Sequence, residues 1–444
     1  MRGIELDING AGAGGANVRV GIPPPGFVCD RREWPLNTES LSAQGPNPVR
    51  ATGEALFQRL ETANHEIAGA INGLLDLPAA EVNPLYLRIN DAQAATLPWE
   101  TLYVKDDFVA LQPAWPIARI TDPAGRLPDA DFVAPPELKV LAVLSALGEH
   151  ACDEWLALRK AVADARTAVP PLNVKLALLI GEPDLRREIQ KEIDGGTDFV
   201  SVDEIPPTTA RLLERLQSET PHFVHLYCHG SVEPTRRLHF ATNSEWLAWR
   251  EEDKGTGSIN VSIDSLAQAT VNGRSWLVVI NACKSATAGA QQDSLASGLV
   301  RQGVPAAVGH RQAISPLDAH RFASEFYWSL FRIVSREFER GGRREIEWAE
   351  ALHAPRSGLQ VRHGDAANSE NWSVPILYVG SMAFKVTIVD NKDEVPAASR
   401  ESAQKGVLAE ALSAVAALDV PAEVIDAVLE PLDPGSAAEL RADV

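Results

Sequence analysis

An α/β fold on a mostly parallel sheet is what this sequence predicts, and three observations predict it. From residue 137 onward, short apolar runs of strand length alternate with stretches of helical period, the pattern of repeated βα units with helices on both faces of a sheet. Two of the runs end on reactive side chains: Pro221-His222-Phe223-Val224-His225-Leu226-Tyr227-Cys228-His229-Gly230, and Trp276-Leu277-Val278-Val279-Ile280-Asn281-Ala282-Cys283. In an open α/β sheet chemistry gathers at the carboxyl ends of parallel strands, which is where both side chains fall. Finally, 444 residues at 45% hydrophobic content suffice for a large core, in two or three domains or in one large domain with appendages.

The elements follow in order. Residues 3–8 and 16–21 read as two short strands joined by a Gly-rich turn, residues 9–15. That turn is not a dinucleotide fingerprint, because Val18, Val20 and Ile22 alternate like a strand where a helix is required, and Pro23-Pro24-Pro25 follows. Residues 52–75 carry a helical stripe of Leu56, Leu60, Ile67, Ile71 and Leu74. A strand is expected at 85–89 and a further strand region from 97 to about 111, then a Pro- and Asp-rich connector at 122–136. Strands at 139–145, 174–180 and 199–205 alternate with helices at 153–168, 184–193 and 208–218, the last capped by Thr208 or Thr209. After His229 the rhythm breaks: a small hairpin at 237–243, a polar stretch at 245–259 and a helix at 263–269. Beyond Cys283, residues 284–292 read as a loop, and Asp293 or Ser294 caps a helix ending near Gly303. A strand at 306–309, helices at 318–335 and 344–354, and strands at 375–380 and 384–389, arranged as a hairpin, complete the pattern. Residues 391–398 read as a linker into an Ala- and Leu-rich helical tail. The expected partition is an irregular N-terminal part (1–50), an α+β part (51–135), a catalytic α/β domain (136–390) and the linker and tail (391–444).

Composition excludes several functions. No apolar stretch reaches 18 residues, and the start Met1-Arg2-Gly3-Ile4-Glu5 lacks the features of a signal peptide, so neither a membrane partner nor export is expected. Four cysteines (Cys29, Cys152, Cys228, Cys283) without framework spacing suit a reducing cytoplasm. A net charge of −19 opposes direct binding to nucleic acid and fits a protein partner.

The two strand ends supply an imidazole and a thiol about 54 residues apart in sequence. A thiol attacks an acyl carbon as thiolate, and a neighbouring imidazole with local positive charge, here Lys284, favours that form. His229 is the candidate base and the acid for the departing amine. Gly230 lets backbone approach closely, and the N–H groups of Gly230 and Cys283 are candidate oxyanion donors. No third side chain is obvious, and a backbone carbonyl could orient the imidazole instead. Read alone, His229 could cap its strand, Cys283 could be a small buried apolar residue, and Cys228, on the opposite face from His229, belongs to the core. His225 shares a face with Tyr227 and His229. A zinc site lacks paired ligand spacing such as CxxC; no metal and no cofactor are expected.

Tyr227-Cys228-His229-Gly230 and Asn281-Ala282-Cys283-Lys284-Ser285 resemble the His-Gly and Ala-Cys motifs of CHAT-domain peptidases, bacterial relatives of caspases and separases. Leu97-Pro98-Trp99-Glu100-Thr101-Leu102 is similar to that family's amino-terminal Pro-Trp-Glu-Leu element, residues 295–309 to its post-cysteine segment, and Asn371-Trp372-Ser373-Val374-Pro375 to its closing Trp-x-x-Pro strand. The resemblance covers roughly residues 50–385. It implies a caspase–hemoglobinase-like α/β sandwich, a dyad of Cys283 and His229, and hydrolysis of a peptide bond in a specific protein target without a cofactor. It further implies a place in bacterial immunity or programmed death, with a protein activator or regulatory subunit. Where many relatives carry Trp-x-Val-x-Asp, this chain reads Gln312-Ala313-Ile314-Ser315-Pro316-Leu317-Asp318. That leaves a preference for Arg or Lys before the cut bond in doubt. Asp318, with Asn281 and Tyr227, is the expected lining of the substrate pocket, and Asp318 has helix capping as its alternative role. Activity is expected to be conditional, gated by residues 233–262 and 284–292. The rival expectation is a silent or masked scaffold that acts by binding.

Overall fold

In the computed structural model the described residues are 3–11, 15–41, 46–78, 81–124, 132–231, 237–250, 255–282 and 293–389. Cys283, residues 284–292 and the expected linker and tail from 391 lie outside them. By internal contacts the chain divides into two units, Met1–Val386 and Thr387–Val444; the architecture below is that of the first.

The expected α/β class with a mostly parallel sheet is what the chain adopts. Among the described residues, twelve strands form one sheet. Six run parallel side by side: Val200–Glu204, Val174–Ile180, Leu138–Leu144, Phe223–Tyr227, Leu277–Ile280 and Ala306–His310. Ala306–His310 then pairs antiparallel with Pro375–Gly380. That strand begins a second parallel block with Ile117–Thr121, Leu85–Asn90 and Ile4–Gly10, running opposite to the first. Ala16–Ile22 and Trp34–Leu36 close the far edge as antiparallel strands.

Alternation along the strands sorts the core into two layers, because successive side chains of a strand point to opposite faces. Val224, Leu226 and Cys228, with Val278, Ile280 and Ala282, pack into an apolar cluster with Leu212 and Leu216 of helix Thr209–Ser218, Leu266 of helix Ile263–Asn272 and Leu299 of helix Asp293–Arg301. The opposite face carries Phe223, His225 and Tyr227, which meet Phe331, Tyr327 and His320 of helix Pro316–Glu339. Helices therefore cover both faces, and the strands between them are apolar nearly throughout, as doubly covered parallel strands must be. Cys228 falls in the core, as expected.

Several expectations need correction. The stripe at 52–75 is two helices, Pro48–Ala63 and His65–Leu75; Asn64 is extended (φ −161°) and its side chain accepts from the Glu66 N–H, so it starts the second helix instead of continuing the first. The region after Leu97 is mainly turns, with a 3₁₀ turn at Trp99–Thr101 and a two-residue hairpin, Tyr103–Val104 with Asp107–Phe108. Ile117–Thr121, unrecognised beside the connector, is an interior strand. The polar stretch at 245–259 is overlapped by helix Asn243–Ala248, held by a Thr242/Glu245 capping box, and leads into strand Ile259–Ser262. The helix expected at 344–354 starts instead at His353, because Gly341 and Gly342 take positive φ (61° and 70°) and turn the chain into strand Gly342–Glu345. Pro375–Gly380 and Lys385–Ile388 lie in different sheets and form no hairpin.

Candidate active site

The sheet topology decides where a site can form. From Leu138–Leu144 the chain builds outward through Val174–Ile180 to Val200–Glu204, then returns to the other side of its starting strand as Phe223–Tyr227. The strand order reverses between Leu138–Leu144 and Phe223–Tyr227. At such a reversal the loops leaving the carboxyl ends diverge and open a crevice.

His229 sits at this reversal. It follows Phe223–Tyr227 by two residues and is only 7% exposed. Its Nε2 lies 2.9 Å from the carbonyl oxygen of Leu147, in the loop leaving Leu138–Leu144. A carbonyl only accepts, so Nε2 donates; in a neutral ring the lone pair then resides on Nδ1. The orienting group is thus a backbone carbonyl of the neighbouring strand's loop, invisible to any search for a third side chain. That loop is tightly seated. The Ser145 Oγ donates to the Ala241 carbonyl (2.7 Å) and accepts from the Ala241 N–H (3.0 Å). A Cβ on Gly181 would come within 2.0 Å of the same Oγ, so only glycine permits this approach. Gly230 faces Leu238 in a small antiparallel sheet, His229–Ser231 with Arg237–Phe240 and Ile259–Ser262.

The second strand end is adjacent. Leu277–Ile280 pairs parallel with Phe223–Tyr227, Leu226 opposite Ile280, and the Asn281 N–H donates to the Leu226 carbonyl (2.9 Å). The ladder therefore carries the backbone to within two residues of Cys283, on the edge from which His229 emerges. Cys283 itself lies outside the described residues.

The expected pocket residues are placed differently. Tyr227 and Asn281 have no exposure, and Asp318 is 2% exposed. Tyr227 packs its ring on His320, centroids 5.5 Å apart. Asn281 spends its amide inside the protein, donating to Glu154 Oε1 (2.7 Å) and the Ala319 carbonyl (2.9 Å) and accepting from His310 Nε2 (2.9 Å). Neither side chain lines an open pocket. Asp318 is the third residue of helix Pro316–Glu339, whose cap is Ser315. Arg362 Nε (2.7 Å) and His363 Nε2 (2.8 Å) reach its Oδ1 and the Ser315 hydroxyl (2.8 Å) its Oδ2. Burial would raise the Asp318 pKa, but His363, Ser315 and Arg362 together hold it below the usual carboxylate range. Its charge is met from within the chain.

Sequence reasoning missed a polar network beneath the site. Glu154, in the first turn of helix Cys152–Thr167, is fully buried. Its Oε1 lies 2.6 Å from His225 Nε2, and its Oε2 lies 2.6 Å from His320 Nδ1. Burial alone would push its pKa up; the contacts from His225 and His320 outweigh that and hold it at about 2. Burial pushes His310 down to about 3, so it stays neutral. One signal could have exposed Glu154: it is in register with the buried stripe of its own helix, Leu158, Ala161 and Ala165.

A family model described as the CHAT domain matches residues 50–379. None of the curated proteins matches the sequence. Among solved structures, the separase–securin complex of Saccharomyces cerevisiae is similar at 12% identity and a TM-score of 0.32, over 75% of this chain. This chain spans 18% of that one. No helix among the described residues is long and apolar enough to cross a membrane.

Proposed function

Because the chain belongs to the CHAT-domain family, we propose that it is a cysteine endopeptidase in which Cys283 is the nucleophile and His229 the base. One observation carries this reading: the strands that precede the two residues are parallel neighbours joined up to Asn281, and the His229 ring is held through Nε2 by the Leu147 carbonyl. The ring held in this orientation is the proposed base. In the proposed cycle His229 takes the thiol proton and the thiolate attacks the scissile carbonyl. The N–H groups of Gly230 and Cys283 hold the oxyanion. The imidazolium then protonates the departing amine, and water hydrolyses the thioester to regenerate the thiol. No step requires a cofactor.

The substrate is a protein, and activity depends on a protein activator or regulatory subunit, in keeping with a role in bacterial immunity or programmed death in the cytoplasm. An indiscriminate protease would harm its own cell, so conditional activity is the economical expectation. Asp318 does not select a basic residue before the cut bond, since Arg362 and His363 occupy its carboxylate. Cells carrying the wild-type chain and cells carrying Cys283→Ala, compared by proteomics for new peptide termini, test the reading. Cleavage should vanish in the variant while the protein stays folded. Cleavage retained in the variant rules the assignment out, and failure of an electrophilic peptide probe to label Cys283, with or without partners, favours a silent scaffold.

A further inference from the structure

We propose that Glu154 is a positioning residue for the cysteine chemistry proposed above: acting through Asn281, its buried carboxylate fixes the edge from which both reactive stretches emerge. The inference rests on that peptidase reading, and it uses a group the reaction itself does not touch.

The argument is geometric. Glu154 has no exposure, and its carboxylate faces groups from three other elements. His225 is the middle residue of Phe223–Tyr227, the strand that leads to His229 four residues on. Asn281 follows the neighbouring strand and precedes Cys283 by two residues. His320 lies in the first two turns of helix Pro316–Glu339. One side chain therefore ties the middle of one strand to the end of its neighbour and to the helix that covers them. Asn281 transmits the constraint, because its amide has a single workable orientation: both N–H groups point to acceptors, Glu154 Oε1 and the Ala319 carbonyl, while its oxygen takes the His310 Nε2 proton. Reversing the amide would set its oxygen against a carboxylate and a carbonyl. The Asn281 backbone is also fixed, through its N–H to Leu226. Side chain and main chain of Asn281 are both held, two residues before Cys283.

A polar cluster of this kind is costly to bury and would be replaced by apolar residues if packing were its only task. Its position under the shared strand ends, and not elsewhere in the core, points to alignment as the task. Small displacements of reacting groups have large kinetic consequences: an error of about 1 Å can cost on the order of a hundredfold in rate.

The test uses the full chain and iodoacetamide as the probe, following alkylation of the Cys283 peptide by mass spectrometry from about pH 6 to 10, across the ordinary thiol range. Wild type, His229→Ala, Glu154→Gln and Asn281→Ser are compared. In wild type, Cys283 should react faster near neutrality than in His229→Ala. Glu154→Gln should be slower than wild type by about tenfold near neutrality and converge with it at high pH, where the thiolate no longer needs the imidazole. A structural contribution alone would not produce that convergence. Glu154→Gln matching wild type at every pH overturns the inference while leaving the peptidase reading intact. Equal slowing at every pH, a sign of lost access, also overturns it. Wild type matching His229→Ala removes the dyad, and the positioning role with it. If Glu154→Gln fails to fold, Asn281→Ser, which leaves the carboxylate with His225 and His320, carries the same expectations.

Discussion

Two fully buried glutamates among the described residues are neutralised by different means, and the contrast separates a joint from a working edge. Glu100 lies in the 3₁₀ turn Trp99–Thr101. It meets a guanidinium fork: Arg119 Nε (3.0 Å) and Nη2 (2.9 Å) donate to its two oxygens. Arg119 also donates to the carbonyls of Ala95 (2.8 Å) and Leu97 (3.2 Å). Glu154 meets imidazoles and an amide. A guanidinium stays charged at every accessible pH, whereas an imidazole can gain or lose its proton near neutrality. The first arrangement suits a permanent fastening. Arg119 lies on Ile117–Thr121, the strand that pairs with Pro375–Gly380 where the second parallel block begins. Arg356, also fully buried, donates to the Ile117 and Pro375 carbonyls beside that pairing. The Pro-Trp-Glu motif is therefore part of the fastening. Helix Pro48–Ala63 closes over it at Gly53, where a Cβ would come within 2.0 Å of the Thr101 carbonyl.

The strongest way to break this comparison is to leave Glu100 without its partner. Arg119→Met should destabilise the fold by roughly 3–5 kcal/mol, because an uncompensated carboxylate remains in the interior. The double variant Arg119→Met/Glu100→Leu should recover much of the loss, since replacing both members of a buried pair is far less damaging than removing one. Urea unfolding of the three proteins measures both quantities. A double variant no more stable than the single one would mean that the pair does more than fasten.

Acid should act next, on His310 beside the working edge and on His222 at the opposite end of its strand. His222 and His310 have their pKa values pushed down by burial, to about 4 and about 3. Both groups stay neutral in the folded chain but take up protons near pH 6.5 when it unfolds, so their stabilisation is complete above 6.5. It is lost as the pH falls toward 4 and then 3. Glu154 follows the carboxylate rule: its contribution is present above about 4.5 and disappears on the way down to about 2. Between pH 7.5 and 5.0 unfolding free energy should therefore drop by roughly 2–4 kcal/mol, at up to about 1.4 kcal/mol per group per pH unit. Stability that stays flat or rises over this interval would contradict the assignment of buried neutral histidines. Glu154→Gln at neutral pH should cost less than Arg119→Met, about 1–3 kcal/mol, because the amide preserves shape and part of the bonding.

The same contrast explains what was legible in the sequence. Alternation of apolar runs with helical periods gave the parallel block, since strands such as Val174–Ile180 and helices such as Thr209–Ser218, capped by Thr208, obey local rules. Ile117–Thr121 was not legible: it carries Arg119 in its centre, and an arginine inside a short run argues against burial unless Glu100, 19 residues away, is known to meet it. The adjacency of the strands leading to His229 and Cys283 was legible because order and spacing suffice for it. The Leu147 carbonyl was not, because a main-chain acceptor leaves no mark on residue identity. Tyr227 and Asn281 adjoin the reactive groups in sequence, but nearness does not reveal which face of the sheet a side chain takes; Asp318 stands near the acid of a family motif, which does not reveal that Arg362 and His363 meet its carboxylate. Glu154 was masked for a further reason: an acid in a helix's first turn is already favourable beside the positive end of the helix dipole, which competes with the signal of its register with the buried stripe.

The smallest effect separates two roles at the start of helix Pro316–Glu339. Ser315 Oγ accepts from the Asp318 N–H (3.2 Å) and donates to the Asp318 Oδ2 (2.8 Å). Ser315→Ala removes both bonds and should cost about 1 kcal/mol, the usual value of an N-cap. Asp318 would keep Arg362 and His363 on its other oxygen. His320 begins the next turn of the helix, beside Glu154. If the helix start is fastened mainly through Asp318, Ser315→Ala loses only the cap, and Cys283 alkylation keeps its pH profile. If the cap itself sets where His320 meets Glu154, the profile shifts as it does in Glu154→Gln. That outcome would move the helix start from the fastened part of the molecule to the working edge.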